Sequence, residues 1–95
     1  MEFLKAYIKE EDTITKIRGN NEESVIFNFL CFEDNAKKIM TYLQEIGITV
    51  IDELLINRLE LFTIDIERIK EHFNNYNVEV LVQLINEDIN TLNNI

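Results

Sequence analysis

Apolar residues recur at helical spacing in the middle of the chain. Residues 34–46 give the clearest case, because charged and amide side chains fill the opposite side of the same helix. Asp34 is a residue type typical of an N-cap, and Gly47 is typical of the position just after a helix. The pattern therefore predicts an amphipathic helix over residues 34–46. Its apolar face consists of Ala36, Ile39, Met40 and Leu43.

Two further helices are predicted after this one. Thr49 can cap the first of them, with Asp52 at the reciprocal position of a capping box. The next helix follows Thr63 or Asp65 and ends in the asparagine-rich turn of residues 74–77. The apolar stripes are Leu54, Leu55 and Leu59 in the first helix, and Ile66, Ile69 and Phe73 in the second.

The chain also resembles itself when it is shifted by about 30 residues. Apolar positions coincide across two elements and the turn between them, and Gly47 aligns with Asn77, a residue type that also tolerates a left-handed backbone. Such a period is typical of helical hairpins that stack into a solenoid or bundle. We therefore predict an all-α fold, with about two and a half repeats over residues 21–95. The aligned sets include Val25, Leu55 and Ile85; Phe29, Leu59 and Ile89; and Phe32, Phe62 and Leu92.

Two segments allow a different interpretation. Residues 24–32 and 78–85 are rich in β-branched and aromatic side chains, and both fit an alternation of period two. Strands at these positions, with helices at residues 34–46 and 65–75 on one face, would form a small α+β sandwich that also repeats. The middle unit favours the helical fold, because residues 48–62 contain no turn residues that would make a hairpin.

Residues 1–20 lie outside the repeat. The apolar side chains near the start suit a short helix, whereas residues 13–18 fit either a strand or a frayed connection. Gly19 begins a turn, after which Asn20 and Glu23 could make a capping box. The apolar side chains are Phe3, Leu4, Tyr7 and Ile8.

The composition fits a single domain. The chain has 95 residues, of which 46% are apolar, and this is enough for one core over residues 1–95. Its single cysteine excludes an internal disulfide, and no window approaches the ~18 apolar residues of a membrane span. The first residues mix charged and apolar side chains instead of forming a signal peptide, so we expect a cytoplasmic protein.

The net charge of −9 argues against phosphate backbones as the main partner and favours basic ones. After Lys70 the chain has four acidic residues, and His72 is the only side chain there that could carry positive charge. An acidic surface also serves solubility alone, and composition does not separate these two roles.

One stretch resembles a known family. Leu43 to Ile48 fit the pattern L-x-x-x-G-I, which is followed by two leucines, by Leu61-Phe62 and by two apolar residues ending at Phe73. This stretch resembles the helical repeats of the mitochondrial transcription termination factor family, and its start resembles the entry of a helix-hairpin-helix. The resemblance implies a curved α-solenoid that binds nucleic acid. The basic residues of such a groove would be Lys37, Lys38, Arg58, Arg68 and Lys70.

Candidate catalytic chemistry is sparse. His72 is the only histidine, and we expect it on the outer face of its helix. Cys31 stands between two apolar residues and fits a small buried hydrophobe better than a nucleophile paired with His72. The aromatic residues Phe27, Phe29 and Phe32 fit the core better than a stacking platform for bases. We expect no catalytic residue, no metal and no cofactor.

Three functions remain open from the sequence. The first is a non-enzymatic adaptor or inhibitor that binds a basic protein, for example a phage-encoded blocker, of the anti-CRISPR kind, of a nucleic-acid-handling defence enzyme. The second is direct nucleic-acid binding by the basic residues named above, and the third is a structural role through self-association. The acidic residues expected to contact a basic protein are Asp52, Glu53, Glu60, Glu67, Glu71, Glu79, Glu87 and Asp88.

Overall fold

Helices are the only regular secondary structure of the chain. The computed structural model describes all residues, Met1–Ile95, and it confirms the predicted all-α fold. The α-helices are α1 (Thr13–Asn20), α2 (Glu23–Cys31), α3 (Glu33–Ile46), α4 (Ile51–Asn57), α5 (Ile66–Asn74) and α6 (Val78–Glu87). Three 3₁₀ helices accompany them: η1 (Glu2–Ala6), η2 (Leu59–Thr63) and η3 (Ile89–Asn94).

The elements recur in the predicted register. The second unit begins with α4 and η2. In the next unit, about 30 residues later, α6 corresponds to α4 and η3 corresponds to η2. α3 corresponds to α5, and the two helices pack against each other. The middle unit breaks after Asn57, where we expected a continuous helix as far as Leu59.

The α+β alternative is wrong. Residues 24–32 lie in α2 and its end, and residues 78–85 lie within α6. Each helix buries side chains that are three or four residues apart, such as Ile26 with Phe29 and Leu81 with Ile85. Burial at this spacing outweighs the preference of β-branched residues for strands. Residues 13–18 are likewise neither strand nor frayed connection, because they belong to α1.

Several predicted helix ends differ from the observed ones. α3 begins one residue before Asp34, which therefore lies in the first turn of the helix instead of capping it. α4 begins after Val50, so Thr49 caps nothing. Asn20 makes no capping box, since it is the last residue of α1 and donates a hydrogen bond to the Ile56 carbonyl oxygen. Asp65 does cap α5 by accepting a hydrogen bond from the Glu67 amide.

One hydrophobic core joins the first residues to the repeat. Leu4 and Ile17 lie in the same cluster as the buried residues of α2 to α6. The Phe3 ring stacks on Phe29 at 5.6 Å between centroids, and α1 packs on α4. The chain therefore forms a body of 34 × 24 × 23 Å in place of an elongated superhelix.

Alanine substitutions at the two glycines should change the free energy of unfolding in opposite directions. Gly47 ends α3 with a φ of 102°, which an L side chain adopts at a cost of about 1 kcal/mol, so Gly47→Ala should lower the free energy of unfolding by that amount. Gly19 lies inside α1 with open space around its Cα, so Gly19→Ala should raise this free energy by up to about 1 kcal/mol. Urea denaturation of both variants measures the two values. Equal effects would show that α3 does not end as described.

Candidate interaction surfaces

One side of α2 is held by the core. Ile26 and Phe29 are buried there, and the Phe29 ring meets Phe62 of η2 edge-on at 6.3 Å between centroids. These contacts fix the rotation of α2 about its axis. Residues on the other side of the helix therefore face solvent.

The other side of α2 carries exposed apolar residues next to the polar Ser24 and Asn28. Phe27, Leu30 and Cys31 follow each other at helical spacing, and Phe32 comes directly after the helix. All four are exposed: Phe27 by 67%, Phe32 by 50% and Leu30 by 37%, with Cys31 a free thiol. We name these four residues the α2 face.

The α2 face is the feature that the sequence interpretation missed. The prediction that Phe27 and Phe32 belong to the core is wrong, as is the prediction that Cys31 is buried; among the three phenylalanines only Phe29 is buried. A helix that is apolar all round is normally covered on every side. α2 is covered on one side only, so half of its apolar residues remain in water.

Negative charge lies at both ends of the α2 face. Glu22 and Glu23 are at the start of the helix, Asp34 follows its end, and all three are exposed. No lysine or arginine occurs between Arg18 and Lys37. Lys37 itself forms an ion pair with Glu33 at 3.0 Å, and the hydrogen bond in this pair raises the pKa of Lys37. The α2 face is therefore an apolar surface with acidic ends.

Seven of the eight predicted acidic contact residues are exposed. None of the eight takes part in the three ion pairs of the structure, so the exposed carboxylates are free to meet a cation. Asp88 also accepts a hydrogen bond from the Asn90 amide at the start of η3. The seven are Glu53, Glu60, Glu67, Glu71, Glu79, Glu87 and Asp88.

Asp52, the eighth residue, forms hydrogen bonds within the fold. Its carboxylate accepts hydrogen bonds from the Lys9 and Glu10 amides and from the Thr13 hydroxyl, the last at 2.6 Å. Burial raises the pKa of Asp52, but these hydrogen bonds outweigh that effect and hold the pKa below its ordinary value. Asp52 fastens the segment before α1 to α4 and is not part of a free acidic surface.

Helix α6 carries a second exposed strip with apolar members. Val80 and Leu84 are 51% and 45% exposed and lie one turn apart. Glu79 and Glu87 are exposed on the same outer side of this helix. The strip is narrower than the α2 face and contains no aromatic ring.

The five predicted basic residues fall into two separate places. Lys37, Lys38 and Lys70 line a cleft of about 430 Å³ between α3 and α5, together with the acidic Glu45 and Glu67. The Lys70 ammonium lies 5.6 Å from the Tyr42 ring, and burial raises the pKa of this tyrosine. Since carboxylates line the same cleft, it offers no continuous positive track.

Arg58 and Arg68 lie in a larger groove of about 550 Å³. The groove runs between the η2–α5 segment and the last residues of the chain, with Leu61, Phe73 and Leu92 among its apolar walls. It lies on the side of α5 opposite to the lysine cleft. The basic residues expected to form one nucleic-acid groove are therefore divided by α5.

The two candidate catalytic side chains lie on different elements. Cys31 ends α2, whereas His72 is exposed on the outer side of α5, as predicted, with its ring edge-on to Tyr76 at 5.8 Å. No three His, Cys, Asp or Glu side chains come together in a group that could hold a metal ion. None of the helices has the length and apolar character needed to cross a membrane.

The chain was compared with family models, with curated proteins and with solved structures, and none of them matches it. The resemblance of residues 43–73 to mitochondrial transcription termination factor repeats therefore stays a prediction. Any function has to be argued from the surfaces described above.

Proposed function

We propose that this protein is a non-enzymatic interaction module that binds a basic protein through the α2 face. The observation that carries the proposal is the exposure of Phe27 and Leu30 one turn apart on a helix whose opposite side is buried in the core, with the exposed Phe32 directly after its end. Aromatic side chains on a rigid support supply most of the binding energy in typical protein interfaces.

The exposed rings cost free energy unless a partner covers them. Apolar area that leaves water contributes about 25 cal/mol per Å², and clustered exposed apolar groups promote unspecific association. Single exposed apolar residues are ordinary, but here several of them form one surface. A partner with an apolar pocket of similar size would cover them.

The charge around the α2 face indicates the kind of partner. Glu22, Glu23 and Asp34 leave negative potential at both ends of the face, and the nearest following base, Lys37, is paired with Glu33. Lysine or arginine at the border of the partner's pocket would complement this potential and accelerate association. The other exposed carboxylates add to the same long-range attraction.

An inhibitor of a nucleic-acid-handling enzyme is one specific form of this proposal. Channels that hold phosphate groups are basic, and an acidic protein of this size could occupy one. In that form the protein and the enzyme's nucleic acid would compete for the same site. Competition is measured by adding the nucleic acid to the isolated complex and quantifying the protein that is released.

Affinity capture from the source cells tests the proposal. Wild-type protein on beads should retain a basic protein after nuclease treatment, and high salt should release most of it. The double variant Phe27→Ala and Leu30→Ala should bind that protein about thirtyfold more weakly, because a loss of about 2 kcal/mol at truncated hot-spot residues corresponds to that factor. Mass spectrometry with isotope labels measures the ratio.

A matched variant controls for general loss of apolar surface. Val80→Ala with Leu84→Ala removes exposed apolar groups from α6 and should leave capture unchanged. Equal loss in both double variants would contradict a role for the α2 face. Retained material that disappears with nuclease would support the nucleic-acid hypothesis instead, and capture of the same chain alone would support self-association.

A further inference from the structure

The groove beside α5 lies between the second and third units of the repeat. In the repeat register Leu92 stands where the middle unit has Phe62. Phe62 is fully buried against Phe29, whereas Leu92 is half-buried and lines the groove. The groove of about 550 Å³ therefore has a partly exposed leucine on its wall where the preceding unit has a buried ring.

Arg58 gives this groove a fixed positive charge. Its guanidinium donates hydrogen bonds to the Asn90 and Asn93 side-chain oxygens at 2.8 and 3.2 Å, and to the Asn57 carbonyl oxygen at 3.1 Å. All three acceptors are neutral, and Arg58 takes part in no ion pair. These bonds use both Nη2 hydrogens and one Nη1 hydrogen, so the Nε–H group and one Nη1–H group remain, and a ligand can accept a single hydrogen bond from either of them.

The other charged groups of the groove are more exposed to solvent than Arg58. Arg68 and His72 are exposed, and so are the two carboxylates in the groove, Glu60 and Glu71. Water and salt screen the attractions and repulsions of exposed groups. Arg58 is half-buried and held by three hydrogen bonds, so among the charged groups of the groove it has the most fixed position.

We propose that this groove binds a small organic acid with an apolar chain of medium length. The carboxylate would pair with the Arg58 guanidinium, which is suited to carboxylates, and the chain would cover Leu61, Phe73 and Leu92. The volume lies within the range of about 300–1,000 Å³ of small-molecule sites. This site is separate from the α2 face, and the proposal does not depend on the proposed function.

Titration with decanoate, below the concentration at which it forms micelles, tests the proposal. Amide chemical shifts of the ¹⁵N-labelled 95-residue chain should change along residues 58–75 and 92–95 and remain constant along α2. Decanol has the same chain without the charge and should bind about tenfold or more weakly, because a charge-assisted pair is lost. Equal affinity for decanol would overturn the assignment of Arg58 as the carboxylate partner.

A matched pair of arginine variants tests the role of Arg58 directly. Arg58→Gln should weaken decanoate binding about tenfold or more, whereas Arg18→Gln, an exposed arginine outside the groove, should have no effect. If Arg58→Gln fails to fold, the comparison of decanoate with decanol on the wild-type chain decides the assignment of Arg58.

Two further results would overturn the proposal. The first is the absence of decanoate-induced shifts at any concentration below micelle formation. The second is that a short apolar peptide with a blocked C-terminus shifts the amides of residues 58–75 while decanoate does not. In that case the groove is a peptide-docking surface and takes no small acid.

Discussion

Replacing Phe62 with alanine should lower the free energy of unfolding by about 4 kcal/mol. Phe62 is fully buried, its ring meets Phe29 edge-on, and η2 packs on both α2 and α3. The change removes apolar contacts and leaves a cavity that the surrounding helices can only partly close. For a chain of this length the whole free energy of unfolding is about 5 to 14 kcal/mol, so the change should remove between about a third and most of it.

Phe27→Ala is the matched control for this prediction. It removes the same side chain from a neighbouring helix, but Phe27 is 67% exposed, so its loss should change the stability by no more than about 0.5 kcal/mol. Urea denaturation followed by circular dichroism measures both values. A cost for Phe27→Ala as large as that for Phe62→Ala would mean that α2 turns its other side to the core.

Replacing Asp52 with asparagine should cost about 2 kcal/mol at neutral pH. The asparagine amide has one oxygen where the carboxylate has two, and its NH₂ group would point at backbone N–H donors of Lys9 or Glu10. The loss should appear first as faster hydrogen exchange in the segment before α1. Glu53→Gln is the matched control, since Glu53 is the exposed neighbour on α4 and makes no side-chain hydrogen bond.

The contribution of Asp52 to the free energy of unfolding should decrease at acidic pH. Its pKa is lower in the folded chain than the value of about 3.9 in an unfolded chain, so the folded state holds fewer protons near that pH. The contribution is fully present above pH ~4 and is lost as the pH falls through the lower, folded-state pKa. The stability difference between wild type and Asp52→Asn should therefore shrink below pH ~4, and an unchanged difference would contradict the hydrogen-bond account.

Local periodicity was sufficient to predict much of the fold. The amphipathic pattern of α3 and α5 placed both helices within one or two residues, and Gly47 has the left-handed backbone expected of a helix end. The repeat register also indicated that residues 24–32 and 78–85 are helical like the middle unit, although their composition fits strands. Regular spacing over several turns is a stronger signal than the preference of any single residue type.

Tertiary contacts determined what the sequence pattern could not. Asp52 stands where a capping box would place it, but its partners are Lys9, Glu10 and Thr13, which are distant in the chain. Six of the nine residues of α2 are apolar and they are spread around most of the helix, so the pattern does not indicate which side packs against η2. The contact between Phe29 and Phe62 fixes the rotation of α2, and only this contact identifies which residues form the exposed α2 face.

Site-specific photo-crosslinking tests the central claim most directly, namely that the α2 face meets a basic protein. The photoreactive analogue p-benzoylphenylalanine replaces Phe27 in one sample and Val80, on the outer side of α6, in another, and both proteins are irradiated in extract of the source cells. The account predicts a crosslink to a single basic protein from position 27, weakened by high salt, and little or none from position 80. A crosslink to that protein from position 80 alone would contradict the account.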